Sequence, residues 1–367
     1  MREVEADVST LSDTMVAVHD RAGSFSDRWI ARLSDRDIPF RVVNGYDTGI
    51  VDQLRDCRVF LWHFHHGSIR DLRYARHVLA AAEAMGLRVF PNFATAWHYN
   101  DKVAQKYLLE SVSASLVPTW VFHDKDEAFC WALTATWPKV FKLRRGAGST
   151  NVRLVKSRSE ADSLISRMFD IGMKATTSPR KALNSQCRQL DTWSKRVDGV
   201  RRLPNSLRRR ARFPREQDYA LFQEFVPDNP TDTRVTVIGD RAFCFRRAAR
   251  KNDFRASGSG ELIYPRPGEA DREAIRVAFG ISRRLGFQSM AYDILTDVPS
   301  GRRLVCEISY AYSAEAVHGS GGYYDSNLDW HEGSGWPQDA ILEDLLGLCG
   351  RVIGGVPSPA ALEEVLT

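Results

Sequence analysis

Residues 290–309 read MAYDILTDVPSGRRLVCEIS, two short runs of alternating apolar residues on either side of a Pro-Ser-Gly turn. Pro presets φ and Gly enters the left-handed region freely, so the stretch predicts an antiparallel hairpin. Folded about Pro299 to Gly301, it sets Tyr292 opposite Ile308, Ile294 opposite Cys306, Leu295 opposite Val305 and Asp293 opposite Glu307. Like charges directly across a strand pair repel. Two explanations compete: a wet face on which water screens both carboxylates, the commonest fate of Asp and Glu, or a cation held between them. The same face carries Ala291, Leu295 and Val305, which suits a solvated surface poorly. A hard ion such as Mg2+ takes one or two protein carboxylates plus substrate phosphates. A cation here therefore demands phosphate-binding groups elsewhere in the chain.

FKLRRGAGST (141–150) offers them. An apolar strand ends in Lys142 and runs into Gly146 and Gly148, followed by Ser149 and Thr150. Glycines let backbone N–H groups wrap phosphate oxygens, and a lysine supplies a point charge. The spacing is not the GxxxxGK[ST] of a P-loop, and an ordinary hairpin turn explains the loop equally well when it is taken alone. Upstream, Asn100 or Asp101 caps a helix that opens with Lys102. Downstream come QEFV (223–226), DTRV (232–235) and NDFRASGSG (252–260), and then the Asp293/Glu307 hairpin. This order of motifs resembles the ATP-grasp superfamily, and within it the branch of glutathione synthetase and the ribosomal-protein glutamate ligases. The resemblance covers roughly residues 98 to 320. Each motif is loose; order and spacing carry the match.

The resemblance implies an ATP- and Mg2+-dependent carboxylate–amine ligase that works through an acyl phosphate. Lys102 and Lys142 would contact ATP phosphates, and the loop of Gly146, Gly148 and Ser149 would close over them. The backbone of Glu224, Phe225 and Val226 would bind the adenine edge, with Asp228 or Asn229 near the ribose. Arg234 and Arg255 would face the transferred phosphate or the substrate carboxylate, where a planar fork is favoured. Asp293 and Glu307 would hold Mg2+. Two departures matter: Ser309 stands where the family commonly has Asn, leaving a hydroxyl as third metal ligand and a second Mg2+ in question, and Ser257 with a glycine pair replaces the usual Asn of the Phe-Arg-Ser-Asn motif. A phosphotransferase would present the same nucleotide site. The non-enzymatic alternative, a polyanion-binding module with a degenerate nucleotide site, is disfavoured by the presence of Lys142, Asp293 and Glu307.

The 367 residues suffice for two or three compact units. Strand-like runs 15–19, 39–43, 57–64 and 87–92 alternate with amphipathic helical stretches, which predicts an α/β fold that begins with an open parallel N-terminal α/β domain (1–97), and the resemblance implies that a two-lobed ATP-grasp α+β fold follows. Its N-lobe spans 98–225, its metal-bearing C-lobe 226–345, and a tail follows over 346–367. In open sheets ligands gather at the carboxyl ends of strands, so Asp20, HDRAGSFSDR (19–28) and the trio His63, His65 and His66 fall on the functional rim. The trio reads as a solvated strand end, an acceptor-binding group or a metal cluster, whereas Trp97, His98 and Tyr99 read as packing at the domain junction.

Charge is uneven. Residues 174–215 carry thirteen Lys and Arg against Asp191 and Asp198 in a chain of net charge +5, so the remainder is net acidic. This insertion is either a solvated excursion docked through Leu183, Cys187, Leu190 and Val197, or a contact for an anionic glycan, membrane surface or nucleic acid. Sparse aromatics, Trp193 and Phe213, disfavour nucleic acid. The stretch 313–338, rich in Gly, Tyr, Trp and Asp, reads equally as a loop over the acceptor site or as a long surface loop. Six dispersed cysteines, no apolar run of about 20 residues and no signal-peptide pattern in MREVEADVSTLSD predict a cytoplasmic protein, and the family resemblance implies a carboxylate substrate with a small-molecule, glycan or peptide acceptor.

Overall fold

The computed structural model describes residues 14–146, 151–175, 215–250, 253–256 and 260–348. Gly148, Ser149, Thr150, Ser257, nearly all of the basic insertion, the first thirteen residues and the tail from 349 lie outside them. No described helix is long and apolar enough to cross a membrane.

Four parallel strands open the fold: β1 (Val16–His19), β2 (Phe40–Val43), β3 (Val59–Leu61) and β4 (Arg88–Phe90), in the order β2-β1-β3-β4. Every residue of β1 and β3 is buried, as continuous apolar runs are in a sheet covered on both faces. Helices α1 (Phe25–Asp35), α2 (Ile50–Gln53) and α3 (Ile69–Ala84) connect them, and α4 (Phe93–Ala96) follows β4. The chain steps from β1 to β2 on one side and returns to β3 on the other. The carboxyl ends of β1 and β3 therefore flank the switch point where ligands gather in such sheets.

Helix α5 (Lys102–Ser111) begins the next unit. Asp101, not Asn100, is its cap, accepting from the Ala104 amide. Strand β5 (Thr119–Phe122), α6 (Lys125–Thr134), β6 (Lys139–Lys142), β7 (Val152–Val155) and α7 (Arg158–Asp170) follow, and β8 (Met173–Lys174) pairs with β9 (Arg215–Glu216) across the base of the insertion. Strands β5, β6 and β7 with β10 (Ala220–Glu224) form an antiparallel sheet ordered β5-β10-β6-β7. Its core, separate from the rest, packs Phe122, Phe141, Leu164, Ile165, Met168 and Phe222.

The largest sheet holds β11 (Thr231–Ile238), β12 (Arg241–Ala248), β13 (Leu262–Ile263), β14 (Ser289–Asp297), β15 (Arg302–Ser309), β16 (Gly322–Tyr324) and β17 (Trp330–Glu332). Helix α8 (Arg272–Leu285), capped by Asp271 and stopped by left-handed Gly286 at φ 65°, lays Ala274, Ile275, Ala278 and Phe279 into the core. The stretch expected to be a loop after β15 instead contains α9 (Ala314–His318) and the hairpin of β16 and β17, before α10 (Pro337–Leu346).

The decisive hairpin forms about Gly301, at φ 70°. Tyr292 faces Ile308 and Asp293 faces Glu307 as expected, but the register then shifts, so that Ile294 pairs with Val305 and Leu295 with Leu304. Cys306 is the extra residue of a β-bulge. Val305 also ties the two antiparallel sheets together: its amide donates to the Ser115 carbonyl at 2.7 Å, and its carbonyl accepts from the Val117 amide at 3.0 Å.

Candidate active site

A cavity of about 590 Å³ opens between these two sheets, lined by Lys142, Glu224, Phe225, Asp228, Asp293 and Glu307 among others. Strand β6 is buried along its whole length and delivers Lys142 to the wall, 5% exposed. The ammonium group donates to Gln223 Oε1 at 2.5 Å and sits 3.5 Å from Cys306 Sγ. Because of the bulge, Cys306 and Glu307 both reach the cavity although they are consecutive. Burial pushes the Cys306 thiol upward, only partly countered by Lys142, so it is held neutral.

Lys102 opens α5 and lies 3.0 Å from Glu307 Oε1. It also donates to the Gly146 carbonyl at 2.9 Å. Gly146 has φ 131°, and a Cβ there would fall 2.4 Å from the Asn151 amide nitrogen. Its N–H donates to Asn100 Oδ1 at 3.1 Å. Asn100, displaced from the capping role, thus fixes the entrance to the glycine loop.

The opposite wall is apolar. Phe225 meets Phe254 edge to face at 5.8 Å, with Val140, Val152, Val226 and Leu295 around them. Both oxygens of Glu224 are engaged by the buried Lys139 ammonium at 2.9 Å. Among the described residues the backbone groups of Phe225 and Val226 enter no other hydrogen bond. Asn229 clasps Thr296 through both amide atoms, at 3.0 and 2.9 Å. Asp228, at φ 59°, also lines the cavity.

Asp293 is clamped by two guanidinium groups. Arg234 donates through Nε to Oδ1 at 2.6 Å, and Arg247 reaches Oδ2 at 2.8 Å while also gripping Asp232. Burial opposes the charge on Asp293, but Arg234 and Arg247 outweigh it and hold the carboxyl below its usual range. Burial raises Asp232 despite Arg247. Arg255 faces the cavity, its guanidinium on Asp253 at 2.6 Å and on the Val152 carbonyl at 3.3 Å. Ser309 does not line the cavity; its hydroxyl donates to the Ala311 carbonyl at 2.8 Å.

Lys102, Lys142, Gly146, Glu224, Phe225, Val226, Asp228, Arg234, Arg255, Asp293 and Glu307 thus gather on or around one cavity, and Ser309 stands aside. Sequence reasoning passed over Arg247, Lys139 and Gln223. A signal for Arg247 existed: a hairpin turning at Gly239-Asp240 places Asp232 directly opposite Arg247, and the two do pair. The histidine trio is not a strand end. Strand β3 stops at Leu61, and His63 is 6% exposed, stacked on Phe25 at 3.9 Å, rather than solvated. No group of three metal-ligating side chains occurs among the described residues. Tyr99 and His98 are buried at the junction, as expected.

Two antiparallel sheets closing on a lysine- and carboxylate-lined cavity, behind a parallel α/β domain, define the ATP-grasp fold, and this chain has it. No family model and no curated protein matches the sequence. Among solved structures the chain is similar to a RimK domain ATP-grasp protein from Sphaerobacter thermophilus, at 17% identity and TM-score 0.51, over 91% of this chain and 100% of that one. It is also similar to the ATP-grasp ligase PsnB complexed with a minimal precursor, at 15% identity and TM-score 0.54, over 90% and 99%. A third is carboxyaminoimidazole ribonucleotide synthase from Aspergillus clavatus complexed with ATP, at 12% identity and TM-score 0.54, over 96% and 79%.

Proposed function

We propose that this protein is an ATP- and Mg2+-dependent ligase that joins a carboxylate to an amine and forms ADP and phosphate. The convergence of Lys142, Asp293 and Glu307 on one cavity, with Lys102 bound to Glu307, carries this reading. A volume of about 590 Å³ falls within the range of about 300–1,000 Å³ usual for small-molecule sites. The apolar wall with unpaired backbone at Phe225 and Val226 suits a flat base. Asp293 and Glu307 are paired strand neighbours, and two such carboxylates supply the hard oxygen donors that Mg2+ takes alongside phosphates. When bound, the ion would neutralise triphosphate charge.

In this scheme Lys142 and Lys102 bind and orient the phosphates, and Phe225 and Phe254 flank the base and exclude water. Asp228 takes the ribose, since the Asn229 side chain is committed to Thr296. Arg234, Arg247 and Arg255 lie where the γ-phosphoryl group would pass to a carboxylate oxygen. The amine then attacks the acyl carbon, the bond from that carbon to the phosphate oxygen breaks, and the ammonium proton leaves to solvent. Catalysis is mainly positioning and charge neutralisation. A peptide acceptor is in keeping with the similarity to PsnB, whose structures contain a precursor peptide; the basic insertion favours an anionic acceptor, peptide or glycan.

Thermal unfolding with ATP, with and without Mg2+, tests the site first. At about 100 times its dissociation constant ATP should stabilise the fold by about 2.7 kcal/mol, only with Mg2+, and much less in Glu307→Gln. Screening carboxylate and amine pairs for ADP release follows. A folded wild type indifferent to ATP and Mg2+ sinks the proposal, and a phosphorylated product without ligation replaces it with phosphotransfer.

A further inference from the structure

The ends of β1 and β3 form a rim that the nucleotide cavity does not use, and its buried carboxylate, Asp71, is engaged on both oxygens. Asp20 receives the Ser26 hydroxyl at 3.0 Å. Asp71 takes the Tyr46 hydroxyl on one oxygen and the His65 amide, at 2.9 Å, on the other. The Tyr99 hydroxyl faces the amide and ring of His66. Donors, by contrast, are left over: Arg21 Nε, Trp62 Nε1, His63 Nε2 and Arg76 Nε are buried without a partner. Buried polar groups are nearly always satisfied. Three of these atoms, on Arg21, His63 and Arg76, lie around Tyr310 and call for a partner from outside the chain.

The Ser24 hydroxyl decides whether His63 joins the donors. Arg21 Nη2 donates to the Ser24 hydroxyl at 2.8 Å, and a guanidinium can only donate. The Ser24 hydrogen is then free for His63 Nδ1, 3.0 Å away. With Nδ1 accepting that hydrogen, the ring, which burial keeps neutral, carries its single proton on Nε2, where nothing accepts it. Charge points the same way. Neither Arg21 nor Arg76 has a carboxylate at ion-pair distance among the described residues, and burial lowers the pKa of Arg76. Tyr310, three residues beyond Glu307 on the chain, joins rim to hairpin: its ring lies 4.6 Å from Tyr99 and 5.9 Å from His63, and its hydroxyl donates to the Phe64 carbonyl.

We propose that this rim, centred on Arg21, His63 and Arg76, binds a carboxylate group of the substrate. A carboxylate only accepts, offers about four lone-pair sites and takes a guanidinium in two-point fashion. The substrate class rests on the ligase reading above; the donor surplus does not.

Histidine-labelled NMR with glutarate as probe tests it. The His63 ring nitrogens should report the Nε2–H tautomer and shift saturably with glutarate, not with its dimethyl ester. In Arg21→Met and in Arg76→Met the apparent Kd should rise about tenfold or more, the loss of one charge-assisted hydrogen bond, and Arg21→Lys should recover part of it. Stabilisation by ATP and Mg2+ should be unchanged in all three. No saturable shift, or one indifferent to both methionine variants, overturns the proposal and assigns the donors to structural water. Tighter binding of inorganic phosphate than of glutarate also overturns it, in favour of a phosphoryl group. If glutarate binds as expected while ATP fails to stabilise, the rim stands and the ligase reading falls.

Discussion

The hairpin cluster and the N-terminal rim are both buried and rich in arginine, yet they balance their charge in opposite ways. Around β14 and β15, Arg234 and Arg247 are matched by Asp232 and Asp293, and Lys102 by Glu307. At the rim, Arg21 and Arg76 find hydroxyls and carbonyls but no carboxylate. A buried charge without a partner is costly. The contrast separates charge that the fold balances before any ligand arrives from charge that has no carboxylate partner until one binds.

Removing one member of the balanced cluster should have the largest effect. Arg247→Met strips Asp232 of its main partner and takes one of two from Asp293, and breaking a buried pair from one side costs about 3–5 kcal/mol. Urea unfolding should show that loss. Adding Asp232→Asn should restore part of it, because the stranded charge goes too, so the cycle returns a clear coupling energy. Additive losses would mean that the four side chains are not one unit. Glu307→Gln should cost far less stability, since Glu307 is about one-third exposed and exposed pairs contribute about 0–1 kcal/mol. Its effect belongs to Mg2+-dependent ATP binding.

How much of this was legible follows the same division. Local rules placed the hairpin, because a Pro-Ser-Gly turn between alternating runs fixes where the chain reverses, and they put Asp293 opposite Glu307. The bulge at Cys306 was not legible: no glycine marks it, and it exists because β15 must also bond to Ser115 and Val117, distant in sequence. Helix α7 was missed although Ser157 and Glu160 form a readable capping box, the serine accepting from the Glu160 amide and the glutamate from Lys156. Helix α6 was harder, since it buries only the small Ala128 and Ala132. The histidine trio misled because β3 ends earlier than its apolar run suggests. Burial beside Phe25 depends on α1, which no pattern near His63 reveals. The rim's donor surplus is a property of several segments at once, visible only when their bonds are counted together.

Acid should unfold the two regions in sequence. Burial, with His66 and Arg21 adding to it, lowers His65 to about 3, and burial chiefly lowers the junction residue His98 to about 3, from an ordinary 6.5. The unfolded chain therefore binds protons that the folded chain refuses, and stability falls as pH drops from about 6.5 toward about 3, by up to about 1.4 kcal/mol per pH unit for each histidine. Asp293 has the depressed pKa of a paired carboxylate, so its contribution is lost only at lower pH. Urea midpoints measured between pH 7 and 5 should decline, and His65→Gln should flatten the decline. An unchanged slope in that variant would mean that His65 titrates normally, and that the rim is wetter than its packing indicates.

The smallest expected change sharpens the comparison most. Arg21→Met deletes hydrogen bonds to the Ser24 hydroxyl and the His63 carbonyl, each contributing about 0.5–1.5 kcal/mol. It also removes a largely buried cation that no carboxylate balances, and replaces its stem with a flexible apolar chain of similar reach. These terms oppose each other, so the urea midpoint should move by an amount worth about 0.5 kcal/mol or less, in either direction, while glutarate affinity falls. The same chemical change at Arg247 should cost several times more and leave glutarate binding intact. If Arg21→Met proved as damaging as Arg247→Met, Arg21 would be a structural residue with partners enough, and the distinction between satisfied and waiting charge would fail at the residue on which it depends.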